Sequence, residues 1–151
     1  MLLLLLACAF QPTEGTWSMT VQTTTTWGCT DETSYYQAGD SWQMGVYPED
    51  DTVLLDLGHE DGPEQNCEYA EPDIECKEVR VDDYSETFDV IITWADTLTA
   101  TFVNEDRLEG TLFTEMTCEG LDCDTRGTQF APGPDAAWPC NGETSVFARP
   151  E

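Results

Sequence analysis

The side chains from which chemistry would have to be built in this 151-residue chain are seven cysteines, one histidine and 31 carboxylates. The cysteines are Cys8, Cys29, Cys67, Cys76, Cys118, Cys123 and Cys140. There is no C-x-x-C pair, and His59 is the only histidine, so a structural zinc site lacks both spacing and ligands. His59 sits in Leu57-Gly58-His59-Glu60-Asp61-Gly62, a turn composition, with no G-x-S-x-G elsewhere to complete a hydrolase triad. With so many acids, some pair always falls at a glycosidase-like separation, so carboxylate pairs discriminate nothing. Asp122-Cys123-Asp124-Thr125-Arg126-Gly127 has the first two acids and the glycine of a calcium loop. Arg126 would repel the ion, however, and the twelfth position is Gly133 rather than Glu. The acidic stretches Glu49-Asp50-Asp51 and Asn104-Glu105-Asp106 read as solvated hairpin ends rather than weak cation sites. The expectation is a chain with no catalysis, metal or cofactor.

Cys8 stands apart from the other cysteines. It closes Met1-Leu2-Leu3-Leu4-Leu5-Leu6-Ala7, an apolar run too short to span a bilayer as a helix. Five consecutive leucines fit neither strand alternation nor a helical stripe, and the run reads as the apolar part of an export signal. Leu5-Leu6-Ala7-Cys8 resembles the lipobox of bacterial lipoproteins. That resemblance implies a signal at residues 1–7, cleavage before Cys8, and acyl chains on the Cys8 thiol and on the new amino group. The partner would then be a lipid bilayer. Ala9, in place of Asp, implies delivery to the outer membrane. No Lys or Arg precedes the leucines, which puts the true start upstream of Met1 or marks a departure from the family pattern. Setting Cys8 aside leaves six cysteines, and an even number in an exported chain points to disulfides. The expected set is two local loops, Cys67–Cys76 and Cys118–Cys123, with Cys29–Cys140 tying the ends.

A net charge of -26, with Lys77 the only lysine, excludes nucleic acid as a partner, because phosphate binding rests on basic side chains. Anionic headgroups would be repelled as well, so attachment to a membrane needs something other than a basic patch. The acids are spread along the chain, which reads as a solvated surface suited to a salty medium. Hydrophobic content of 40% and five tryptophans are enough for a core in one domain.

The positions of these residues must come from strands. Residues 8–16 read as a lipidated tether and 17–151 as the domain. Trp17, Met19 and Val21 alternate with polar residues, as do Trp42, Met44 and Val46, then Val53, Leu55 and Leu57. Residues 78–82 read as a short strand with Val79 and Val81 inward. Phe88, Val90, Ile92 and Trp94 share a face. Ala95-Asp96 reads as a turn before Leu98, Ala100 and Phe102, and Asn104-Glu105-Asp106 as a second turn before Leu108, Gly110, Leu112, Thr114 and Met116. Residues 119–143 are loop-like. A last strand near Ser145–Ala148 is expected to return beside the first.

The expected fold is all-β, a single antiparallel meander of about eight strands forming an up-and-down barrel or a sandwich. Gly15-Thr16-Trp17 is similar to the G-x-W that opens lipocalin-like barrels. In that family the tryptophan plugs one end and a late arginine packs across it, a part that the resemblance gives to Arg149. The helix expected before the last lipocalin strand has no counterpart in 119–143. Two functions follow as expectations: an envelope lipoprotein with a structural or interaction role, or a carrier of a small apolar ligand. The pocket of such a carrier would use Trp17, Trp42, Trp94, Phe102 and Met116. So many large inward residues would fill an eight-stranded barrel, which favours the first.

Overall fold

The computed structural model describes residues 10–24, 36–48, 52–55, 65–126 and 138–151. They form eight strands in chain order: β1 (Gly15–Thr24), β2 (Ser41–Tyr47), β3 (Thr52–Leu55), β4 (Gln65–Ala70), β5 (Asp73–Asp83), β6 (Ile91–Asn104), β7 (Arg107–Glu119) and β8 (Cys140–Pro150). Each pairs antiparallel with the next, and β8 pairs with β1, so the sheet closes into an up-and-down barrel rather than a sandwich. Closure leaves the sheet no open edge. The seam carries a hydroxyl pair, Thr23 Oγ1 to Ser145 Oγ at 2.5 Å.

Period-two alternation builds the wall. Ile92, Trp94, Leu98, Ala100 and Phe102 of β6 point inward and pair in register with Cys118, Met116, Leu112, Gly110 and Leu108 of β7. Gly110 answers a close approach: a Cβ there would fall 2.6 Å from the Thr99 carbonyl oxygen and inside the Ala100 side chain.

Two expectations about the strands are corrected. The chain does not turn at Ala95-Asp96: β6 runs through it, because Trp94, Asp96 and Leu98 keep one phase and all face inward. Val79 and Val81 are not inward; they stand on the outer surface, 67% and 56% exposed. The phase of β5 is set by Ile74 and Cys76, both buried, and continuing it turns Glu78, Arg80 and Asp82 to the inner face. Strand β4 has only Cys67 and Tyr69 as an alternating inward pair, too short a run to mark it. It is secured by pairing with β3 and β5 and by the disulfide from Cys67 to Cys76.

The two ends of the barrel differ. At the closed end, Glu71-Pro72 joins β4 to β5 and Glu105-Asp106 joins β6 to β7. Trp17 fills this end at 0% exposure. Its ring meets Phe102 edge-on at 5.4 Å, and Tyr69 meets the same Phe102 at 6.0 Å. Residues 10–13 lie across the plug. Phe10 packs on the core and Pro12 is buried. The Thr13 N–H donates to the Glu105 carbonyl at 2.8 Å, and its hydroxyl to Asp106 Oδ1 at 2.7 Å. Trp17 Nε1 donates to the Thr13 carbonyl at 2.8 Å. Gly15, with φ 128°, makes the bend from this strap into β1. Arg149 does not cross Trp17. Its neighbour Ala148 faces in, so Arg149 faces out, with its guanidinium 5.5 Å from the Phe147 ring. The strap takes the place expected of the arginine.

Outward positions of the long strands are largely polar, among them Thr97, Thr99, Thr101, Glu109, Thr111, Glu115, Glu143 and Ser145, while most inward positions are apolar. That is the reverse of a membrane-spanning barrel, whose lipid-facing band is apolar.

Candidate functional site

The lumen is divided by charge. One apolar cluster fills the closed half with Trp17, Met19, Met44, Leu98, Phe102, Leu108 and Leu112. A second, with Val90, Ile92, Trp94, Met116 and Cys140, lies toward the loop end, where Tyr84, Phe88 and Trp138 pack on it. Between them runs a polar row across three strands, Glu78, Asp96 and Thr114, which are successive register partners, with Gly142 next in register on β8. Beside it, Arg80 lies 4.7 Å over the Trp94 ring. Asp82 Oδ2 accepts from Arg80 at 3.2 Å and from Trp94 Nε1 at 2.9 Å. The Arg80 and Asp82 side chains are each about a third exposed, so water reaches this part of the lumen and their ion pair is screened.

Asp96 is different, being 5% exposed. The Thr114 hydroxyl donates to its carboxylate. A buried carboxylate without donors is costly, and a hydrogen bond to a charged group is worth about 1.5–3 kcal/mol. Thr114→Val keeps the shape and removes the donor, so it is expected to lower unfolding free energy by about that amount. In Asp96→Asn protein the same change should cost less, and urea titration of the four variants measures the difference as a double-mutant cycle. Equal costs in the two backgrounds would show that the hydroxyl does not act through the carboxylate. One strand step from Gly142, Thr144 is 1% exposed, and its Oγ1 has no hydrogen-bond partner among the described residues.

The loop end is built on a small disulfide loop. Cys118 is bonded to Cys123, as expected from their spacing. The loop docks on the chain ahead of β6. The Leu121 N–H donates to Asp89 Oδ2 at 3.1 Å, and the Asp89 N–H donates to Asp122 Oδ2 at 3.1 Å. Arg126 closes it, 5.4 Å over the Phe88 ring. Asp122, the first acid of the calcium-like run, thus holds a backbone N–H. No cluster of three metal-ligating side chains occurs among the described residues. In the neighbouring β5–β6 turn, the Ser85 hydroxyl and then its N–H hold the Asp83 carboxyl below its ordinary pKa. Cys140 is also disulfide-bonded; Cys29, its expected partner, lies outside the described residues.

The structure separates the five pocket candidates. Trp17 and Phe102 make the plug. Trp42 is half-buried against Tyr36, at 4.9 Å between ring centroids. Trp94 and Met116 belong to the second cluster. Cys8, Cys29 and His59 lie outside the described residues. The alternation singled out aromatic and aliphatic positions and passed over Glu78, Arg80, Asp82 and Asp96. Extending the phase of Cys76 along β5 would have found three of these four.

Fold and lumen together define a class: a small water-exposed antiparallel barrel, plugged at one end and disulfide-stapled. Beyond that class, comparison with protein-family models, with curated proteins and with solved structures finds no match for the chain.

Proposed function

We propose that the chain is an exported envelope lipoprotein. It is held to a bilayer by acyl chains on Cys8, probing no substrate and serving a structural or interaction role through a lipocalin-like barrel. The observation that carries this reading is the state of the cysteines. Cys67, Cys76, Cys118, Cys123 and Cys140 are all disulfide-bonded, the mark of an oxidising compartment. Seven cysteines cannot all pair within one chain, so one thiol is left over, and the lipobox resemblance assigns Cys8 to that place. Ala9 after it favours the outer membrane, with the barrel facing the periplasm or the exterior. Two or more acyl chains are enough for stable anchoring.

Metabolic labelling with a fatty acid tests the anchor. The wild-type protein is expected to take up label and float with membranes, and Cys8→Ser to lose both. Label retained on Cys8→Ser would refute the assignment.

A second reading, a small-ligand carrier, draws support from the polar row. A ligand in the loop half would meet Glu78, Arg80, Asp82 and Asp96, and so would need polar groups rather than the purely apolar character expected from sequence. Native mass spectrometry of protein from its own envelope separates the two readings. A stoichiometric small-molecule adduct supports the carrier, and a protein complex supports the interaction role.

A further inference from the structure

An anchor at Cys8 would act on the barrel through a very short leash. Residues 10–13 are fixed to the closed end by the packing of Phe10 and Pro12 and by the hydrogen bonds of Thr13 to Glu105 and Asp106. From Phe10 back to Cys8 is two residues, a reach of about 7 Å even when fully extended. Strand β6 has 14 residues. At about 3.3 Å per residue and a tilt near 40°, the wall it forms stands roughly 35 Å tall. The strap therefore ties an object several times longer than its own free length.

We propose that the closed end of the barrel, with the turn Asn104-Glu105-Asp106 beside the strap, faces the lipid surface at short range. The loop end, carrying the Cys118–Cys123 loop and Trp138, is directed away from it. This rests on the anchor reading above. The strap decides between an upright barrel and one lying on its side. Inversion is excluded even without the strap: a leash released back to Gly15 spans about 24 Å, less than the height of the wall. The surface faced is zwitterionic. Glu14, Glu71, Asp73, Glu105 and Asp106 are exposed at this end, and anionic headgroups would repel them.

The test uses the chain from Cys8 onward, which keeps every described residue. It is coupled through the Cys8 thiol to a maleimide-bearing lipid in phosphatidylcholine vesicles. A fluorescent amino acid replaces Glu105 at the closed end or Glu86 in the β5–β6 turn, both exposed. Energy transfer to a headgroup-labelled lipid, with a Förster distance near the height of the wall, is expected to be about twofold greater from position 105, because transfer at the Förster distance is about one half. The strap-releasing variant Phe10→Ala/Thr13→Ala should bring the two efficiencies closer together. Equal or reversed transfer in the parent protein overturns the orientation, and a ratio unchanged by strap release overturns the role of the strap. Because the lipid is attached chemically, this outcome does not depend on acylation in cells. Failure of the labelling experiment alone would remove the anchor and leave the geometry standing.

Discussion

Trp17→Ala is expected to lower the unfolding free energy by about 3–5 kcal/mol, the range for deleting a fully buried large aromatic. Its position explains why it belongs at the upper end. The ring is 0% exposed at the closed end and makes an edge-on contact with Phe102, which in turn holds Tyr69. Its Nε1 also ties the strap through the Thr13 carbonyl. Alanine would leave a cavity the barrel wall cannot collapse into, because the strands around it are fixed by closure. Urea titration measures the loss, and one below about 1 kcal/mol would show that Trp17 is not the plug. Should the alanine protein fail to fold, Trp17→Phe is the milder probe. It retains most of the apolar volume and loses the hydrogen bond, at a cost of about 0.5–1.5 kcal/mol for that bond alone plus a modest packing loss. In that variant the Thr13 N–H should exchange faster, because the strap has lost one of its ties.

The second large effect is expected at Gly120. Its φ of 125° is one that side-chain-bearing residues rarely adopt, and a Cβ there would lie 2.6 Å from the Asp89 carbonyl carbon and closer still to its oxygen. Gly120→Ala therefore adds a steric overlap with backbone to a conformational strain of about 1–3 kcal/mol. A total of about 2–4 kcal/mol is expected, with the disulfide loop pushed off Asp89. Gly15 supplies the control. Its φ is 128°, almost the same, yet a Cβ there would meet nothing within 4 Å. Gly15→Ala thus reports strain alone, and the excess cost at Gly120 reports the contact. Hydrogen exchange gives an independent readout, since the Leu121 and Asp122 amides donate to Asp89. Both should lose protection in Gly120→Ala and keep it in Gly15→Ala. Equal destabilisation by the two substitutions would show that the close approach to Asp89 carries no energy.

Thr114→Val, by comparison, acts on a single hydrogen bond, and the two glycine substitutions act on backbone. These effects are separable because the sites lie in different parts of the barrel: the middle of the wall, the loop end and the start of β1.

Much of the barrel was legible in the order of residues. Leu98, Ala100 and Phe102, and Leu108 through Met116, alternate cleanly because one face of each strand meets the core and the other meets water. The hairpin at Asn104-Glu105-Asp106 and the return of the last strand beside the first follow from the same pattern. The cysteine pairs Cys67–Cys76 and Cys118–Cys123 were legible from spacing, since short loops close at low entropic cost.

Alternation, however, groups residues by face without saying which face is in. For β5 the apolar choice was Val79 and Val81, and it was wrong. The disulfide of Cys76 to Cys67 and the register with β6 outweigh two valines, and they send Glu78, Arg80 and Asp82 to the inner face. Asp96 looked like a turn residue because a buried carboxylate is costly in isolation. The donor that offsets this cost, Thr114, lies on the neighbouring strand, where no local pattern could place it. Strand β4 alternates only at Cys67 and Tyr69, and its place is fixed by pairing with its neighbours. The residues by themselves thus determined the class of element, the antiparallel meander, the local cross-links and the odd cysteine, and left barrel or sandwich to be decided by the pairing of β8 with β1. Tertiary structure alone decided the polar row in the lumen, the strap across Trp17 and the difference between the two ends, because each depends on contacts between residues far apart in the chain.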